Sequence, residues 1–166
     1  MQRATLDKKN LVHLRLAMPL FGDAILKASA PINELTDYLQ FYQLPQDTSN
    51  LKLTAGTTED HETVIMSWRP TKSLGTVIVV HGYMDHIGLY GHLIRHLLGR
   101  QLTVVCLDLK GHGLSSGAAC SITDFGDYVA QVKSVIALCQ VHFEGPLHGI
   151  GQSMGGSVLM KHCLNQ

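Results

Sequence analysis

No apolar run in this 166-residue sequence approaches the roughly 18 residues that a bilayer-spanning helix needs. The stretch from Met1 to Ala30 also lacks the uninterrupted apolar core and small-residue cleavage site of a secretory signal. No C-x-x-C pair is present: Cys106, Cys120, Cys139 and Cys163 stand apart, and at least two fall in segments that read as buried. We therefore expect reduced thiols in a cytoplasmic protein rather than a disulfide framework. An excess of either charge is missing too. Lys and Arg number 13, Asp and Glu number 13, and no basic cluster exceeds Lys8-Lys9, so nucleic-acid binding has no electrostatic support. There is no internal repeat and no low-complexity tract. What remains, 45% apolar and 16% charged, is enough for one domain with a substantial core.

The pattern divides near residue 47, with an amino-terminal helical segment expected over residues 1–46. Leu11, Leu14, Met18 and Leu20-Phe21 form an apolar stripe interrupted at Pro19. Ile32, Leu35, Leu39 and Tyr42 then recur at helical spacing behind Pro31, a residue suited to a first turn. Beyond the loop Pro45-Gln-Asp-Thr-Ser-Asn50, apolar alternation at Leu51, Leu53 and Ala55 and again at Val64, Met66 and Trp68 predicts a hairpin. From Gly75 onward strands and helices alternate. Thr76 to Val80, Leu102 to Leu107 and Pro146 to Gly151 are strand candidates. One helix carries Leu89, Leu93 and Leu97; a longer one carries Phe125, Val129, Val132, Ile136 and Cys139, with Ser121-x-x-Asp124 as its capping box. Alternating β and α with apolar strands predicts a mostly parallel sheet with flanking helices, preceded by the hairpin.

Each of the three later strands runs into a segment suited to chemistry. The first ends in His81-Gly82, a tight loop whose backbone N–H groups could face an oxyanion. The second runs into Asp108-Leu-Lys-Gly-His-Gly-Leu-Ser115. The third runs into Gly151-Gln-Ser-Met-Gly155, a G-x-S-x-G pentapeptide followed by a helical segment. A serine hydroxyl becomes a useful nucleophile only when it stands clear of its neighbours and a base takes its proton. A sharp strand-to-helix turn flanked by small residues provides the first condition. In a parallel sheet the carboxyl ends of such strands share one edge, where sites form.

These three segments, in this order and spacing, resemble the α/β-hydrolase superfamily, most closely its lysophospholipase and monoacylglycerol lipase group, also described as serine aminopeptidase-like hydrolases. The resemblance covers about residues 50 to 166, so residues 47–166 are expected to form the amino-terminal half of an α/β-hydrolase domain. It implies that Ser153 is the nucleophile and that the backbone N–H groups of Met154 and Tyr83 form the oxyanion hole. The Gly111-His112-Gly113 loop would shape the site without joining the triad. It further implies hydrolysis of a small lipid or ester, a lysophospholipid or monoacylglycerol first, through an acyl-enzyme, with no cofactor. The sequence departs from the family after Ser153, where the order should continue with Asp or Glu and then His: it offers no acid and only His162, nine residues on and within the following helix. About three further strand and helix units, on the order of 90 residues, would carry the acid, the base and the lid. The 166-residue chain alone is accordingly expected to be an inactive amino-terminal fragment, and a strand left at the sheet edge would favour aggregation. The alternative class is a hydrolase-like domain that binds an acyl ligand or a partner without cleaving it.

Ten histidines raise a metal reading as well. His81-Gly-Tyr-Met-Asp85-His86 has the spacing of the H-x-H-x-D-H element of metallo-hydrolases, but Tyr83 stands where the second histidine belongs. His92 and His96 lie one helical turn apart with no third ligand and read as solvated surface. For His112 the choice is a loop residue bonded to backbone or a direct role; for Asp108, a strand end meeting water or a clamp on the glycine loop. His148, inside the third strand, reads as a core histidine. The segment from Met1 to Ser29 less its last residue, residues 1–28, reads as a helix packed on the body. The alternative is a peripheral membrane contact, with Lys8, Lys9 and Arg15 at phosphates and Leu11, Leu14, Leu20 and Phe21 among acyl chains.

Overall fold

A computed structural model describes residues 8–26 and 32–165, with side chains from residue 11 onward in the first stretch. Pro31 and the side chains of Lys8 and Lys9 lie outside the described residues. Three helices come first: α1 (Lys8–Ala17), α2 (Phe21–Leu26) and α3 (Asn33–Phe41). A hairpin of β1 (Leu51–Thr57) and β2 (Val64–Pro70) follows, then β3 (Thr76–Val80), a 3-10 turn (Ile87–Tyr90), α4 (Gly91–Leu98), β4 (Thr103–Leu107), α5 (Phe125–His142), β5 (Leu147–Gly151) and α6 (Met154–Leu164).

The five strands form one sheet in the order β1-β2-β4-β3-β5. β1 pairs antiparallel with β2, and β2 antiparallel with β4, whereas β3 pairs parallel with both β4 and β5. β2 therefore runs against the other four, and the carboxyl ends of β3, β4 and β5 meet on one edge. The chain leaves β3 through α4 to reach β4 on one side, then returns through α5 to β5 on the other. That reversal of strand order falls beside the end of β3, the kind of place where open α/β sheets bind ligands.

Alternation of side chains along a strand explains why the strands read as continuous apolar runs. Val77 and Val79, Val104 and Cys106, and Val64, Met66 and Trp68 face a core completed by Leu14, Tyr38, Leu39, Ile94 and Leu97 of α1, α3 and α4 and by Met18 just after α1. Ile78 and Val80, Val105 and Leu107, and Ile65 face a second core with Phe21, Tyr128, Val132, Val135, Cys139 and Val158 of α2, α5 and α6. Trp68 is wholly buried, and its indole N–H donates to the Pro45 carbonyl at 2.8 Å, pinning the loop between α3 and β1.

Several local expectations are corrected. Asp124, not Ser121, caps α5, accepting from the Gly126 N–H at 2.7 Å; a short acid beside the first turn satisfies its N–H groups without the longer box. Leu89 falls in the 3-10 turn and is exposed, while Ile94, one position off the predicted stripe, is fully buried. Leu14 and Phe21 are not available to acyl chains, because both are buried against the sheet. Among the described residues β5 lies at one edge of the sheet, and His148 on it is exposed rather than in the core.

Candidate active site

The pentapeptide Gly151-Gln-Ser-Met-Gly155 forms the turn between β5 and α6. Ser153 sits at its apex with φ 48° and ψ −113°, a conformation that L-residues rarely adopt, and its side chain is exposed. The turn is held from both sides. The Gln152 N–H donates to the Val80 carbonyl at 3.0 Å, and the Gly155 N–H donates back to the Gln152 carbonyl at 2.9 Å. The flanking glycines are required by space: a Cβ on Gly155 would overlap the Val80 carbonyl oxygen and lie 2.6 Å from that of His81, and one on Gly151 would lie 2.5 Å from the Gly155 carbonyl carbon. The start of α6 is thus pressed directly onto the end of β3.

The loop after β3 is fixed atom by atom. The His81 ring bridges two segments: Nε2 accepts from the Leu109 N–H at 2.9 Å, so the ring proton is on Nδ1, which donates to the Gly82 carbonyl at 2.7 Å. Both ring nitrogens are engaged with backbone, which leaves none for the metal reading. Burial holds the imidazole neutral, lowering its pKa to about 4. The Gly82 N–H donates to the Tyr90 hydroxyl at 3.2 Å, and that hydroxyl donates to Asp85 Oδ2 at 3.1 Å. Burial first, and the Asp85 contact after it, push the Tyr90 phenol up to about 12. Gly82 itself abuts the serine turn, since a Cβ there would collide with Gln152 Oε1. Among the described residues, neither the Tyr83 N–H nor the Met154 N–H donates to a protein acceptor.

Asp108 ends β4 and meets no water. Its side chain is fully buried, with Oδ1 accepting from the Ile87 N–H at 2.7 Å and Oδ2 from the Leu114 N–H at 2.8 Å. It therefore clamps the glycine loop, as one of the two readings had it, and also the turn after β3. Gly113, with φ +52°, packs against the carboxylate where any Cβ would collide. Burial raises the Asp108 pKa to about 7, with the two N–H bonds acting in the opposite direction. The Ser115 hydroxyl donates to the Asp108 carbonyl at 2.6 Å and accepts from the Val64 N–H at 2.8 Å, tying the loop to β2. His112 is buried with Nδ1 3.0 Å from the Lys110 carbonyl, the backbone-bonded reading.

Ser153, Met154 and the Gly82-Tyr83 peptide are thus brought together, with the glycine loop behind His81. His162 is buried on α6, about 13 Å along the helix axis from Ser153 at about 1.5 Å per residue, so it cannot act on the hydroxyl. His92 and His96 lie on an exposed helix face. The contributions of Tyr90, Asp85 and Gln152 had no mark in the sequence beyond the neighbouring motifs; the glycine at position 82 was the one sign that something approaches closely there.

A strained serine turn packed on the end of a central parallel strand, in a sheet ordered β1-β2-β4-β3-β5 with helices on both faces, defines an α/β-hydrolase fold. Solved structures agree. A soluble variant of monoglyceride lipase from Saccharomyces cerevisiae, in complex with a substrate analog, matches with a TM-score of 0.55 at 21% identity over 71% of this chain and 40% of that one. Monoacylglycerol lipase of Paleococcus ferrophilus matches with a TM-score of 0.53 at 29% identity, covering 63% and 38%. Residues 71–166 match the model of the serine aminopeptidase S33 family, and the chain belongs to that family. Among curated relatives, monoglyceride lipase of Homo sapiens is 37% identical over 93 residues, which are 55% of this chain and 31% of that protein. Monoacylglycerol lipase of Mycolicibacterium smegmatis is 31% identical over 97 residues, covering 57% and 35%. The chain spans about a third of the length of these relatives.

Proposed function

We propose that the full-length protein is a serine hydrolase of carboxylic esters, acting on a monoacylglycerol or lysophospholipid through an acyl-enzyme on Ser153. The observation that carries this reading is the turn at Ser153, which exposes the hydroxyl at φ 48° beside two backbone N–H groups with no protein acceptor among the described residues. The relatives named as monoglyceride and monoacylglycerol lipases support the substrate class.

In this mechanism a histidine from further along the chain, oriented by an acid, takes the Ser153 proton as Oγ attacks the ester carbonyl. The Met154 and Tyr83 N–H groups stabilise the resulting oxyanion. The C–O bond to the alcohol breaks as the histidine returns the proton to it, and water, activated by the same base, releases the fatty acid. Neither a metal nor an organic cofactor takes part. Ser153→Ala in the full-length protein should abolish turnover of a short acyl ester and of a monoacylglycerol while the protein stays folded. Retained turnover would identify another nucleophile.

The intact mass of the native gene product separates this reading from a hydrolase-like binding domain. A mass well above the 18.2 kDa of these 166 residues leaves room for the acid and base. A mass equal to it makes the hydrolase reading one of ancestry. Residues 1–46 are proposed as a helical segment laid on the hydrolase body, in a cytoplasmic protein. A peripheral membrane contact through residues 1–28 is carried by the exposed Val12, Leu16 and Leu26. Among the described residues no helix is long and apolar enough to cross a membrane. Equal pelleting with vesicles by wild type and a variant lacking residues 1–28 would remove the contact.

A further inference from the structure

We infer that the side chain of Tyr83, strapped from the loop after β3 to the loop after β4, is the specificity-determining wall on the acyl side of the site. It admits unbranched acyl chains and excludes those branched beside the carbonyl. The inference rests on the proposed nucleophile and oxyanion hole. The Tyr83 side chain leaves the backbone one atom beyond the N–H that the mechanism assigns to the oxyanion, so a substituent on the carbonyl carbon passes within reach of its ring. That ring is 54% exposed, enough to meet a substrate, yet it is not free. Its hydroxyl donates to the Cys120 carbonyl at 3.1 Å, 37 residues along the chain, and the ring stands edge-on to the buried His112 imidazole with centroids 5.8 Å apart.

The far end of the strap is fixed. The Cys120 N–H donates to the Gly111 carbonyl at 2.9 Å and the Gly111 N–H to the Ser116 carbonyl at 2.7 Å, which closes the loop on itself. Asp108 holds the same loop through the Leu114 N–H. Behind Tyr83 the rings continue: His112 lies against Tyr128 at 6.1 Å and Tyr128 against Phe125 at 5.9 Å, both edge-on. The Tyr83 ring cannot swing aside without losing the hydroxyl tie and the His112 contact together. Polar groups gather instead around Gly82. A Cβ there would collide with Gln152 Oε1 and lie 3.1 Å from Asp85 Oδ2, and the Tyr90 hydroxyl bonds both the Gly82 N–H and Asp85. An ester has an apolar arm and an alcohol arm. The Tyr83 ring and the exposed Met84 beside it suit the first; an amide, a carboxylate and a phenol suit the second. A wall that cannot move discriminates by exclusion, leaving a straight chain untouched and colliding with methyl groups next to the carbonyl.

The full-length protein is assayed with nitrophenyl butanoate and nitrophenyl pivalate, each kcat/KM divided by the rate with hydroxide so that intrinsic reactivity cancels. Wild type should prefer butanoate by about 10- to 200-fold after that correction. Tyr83→Ala removes the wall and should lower the preference about fivefold or more. Tyr83→Phe keeps the ring without its tie and should lower it about two- to fivefold. With ethyl and isobutyl butanoate, which vary the alcohol arm, the preference should move less than about twofold in either variant. A wild-type preference below about tenfold overturns the inference, and this measurement needs no variant to fold. So does an acyl preference that stays at the wild-type value in Tyr83→Ala or in Tyr83→Phe, or a change confined to the alcohol series. Failure of the underlying mechanism has its own sign, turnover that persists in Ser153→Ala. Where that turnover is lost, an unmoved acyl preference overturns the wall alone.

Discussion

Replacing Ser153 with glycine should make the protein more stable, and replacing it with alanine should not. The backbone there has φ 48° and ψ −113°, outside even the small left-handed region open to side-chain-bearing residues. A residue held in such a region costs about 1–3 kcal/mol. Glycine has no Cβ and removes most of that cost, while its greater freedom in the unfolded chain returns about 0.5–1 kcal/mol. The side chain is exposed and makes no capping hydrogen bond, so little packing is lost. The net expectation is a gain of about 0.5–2 kcal/mol for Ser153→Gly, whereas Ser153→Ala keeps the Cβ and should lie within about 0.5 kcal/mol of wild type. Urea unfolding of the full-length variants, followed by two probes, gives the midpoints, and equal slopes would show that only stability changed. If Ser153→Gly is no more stable than Ser153→Ala, the turn is not strained and its geometry no longer marks a nucleophile.

Other consequences follow from the same contacts. Asp108→Asn would set an NH2 group against either the Ile87 or the Leu114 N–H, so we expect a loss of about 2–4 kcal/mol in urea unfolding; a change below about 1 kcal/mol would mean the clamp is weak. Burial raises the Asp108 pKa to about 7 from an ordinary 3.8, so the native state keeps a proton that the unfolded chain has released. Its contribution, at most on the order of 4 kcal/mol, is complete below about pH 4 and lost as pH rises through about 7. Wild type should show this decline between pH 4.5 and 8 and Asp108→Asn should lack it; identical slopes would contradict the assignment. Gly155→Ala drives a Cβ onto the Val80 and His81 carbonyls, both backbone, and should cost about 1–3 kcal/mol with a larger fall in ester turnover than the lost stability explains.

The two parallel strands β3 and β4 were legible because Val77 to Val80 and Val104 to Leu107 are apolar at every position, and only a sheet covered on both faces asks for that. The serine turn and the glycine loop were legible because their glycines are forced by close backbone approach, which a motif records. The exposure of His148 had no local mark, because an edge strand and a central one look alike over so short a segment; position in the sheet is a tertiary property. Leu14 and Phe21 show the same limit in a helix, where an apolar stripe fits a core and a membrane equally well. The two ends of the Asp108 clamp lie 21 and 6 residues away, and the first of these has no local signature. Tyr90 likewise acts through one hydroxyl on a loop whose path the sequence does not specify.

The nucleophile itself is best tested by exposing the full-length protein to a fluorophosphonate and locating the adduct by peptide mass. Attack of Oγ on phosphorus displaces fluoride and leaves a stable phosphonyl ester. We predict that adduct on Ser153, and its absence in a folded Ser153→Ala variant that has also lost ester turnover. An unmodified Ser153 in a protein that still hydrolyses esters, with turnover persisting in Ser153→Ala, would contradict the serine mechanism.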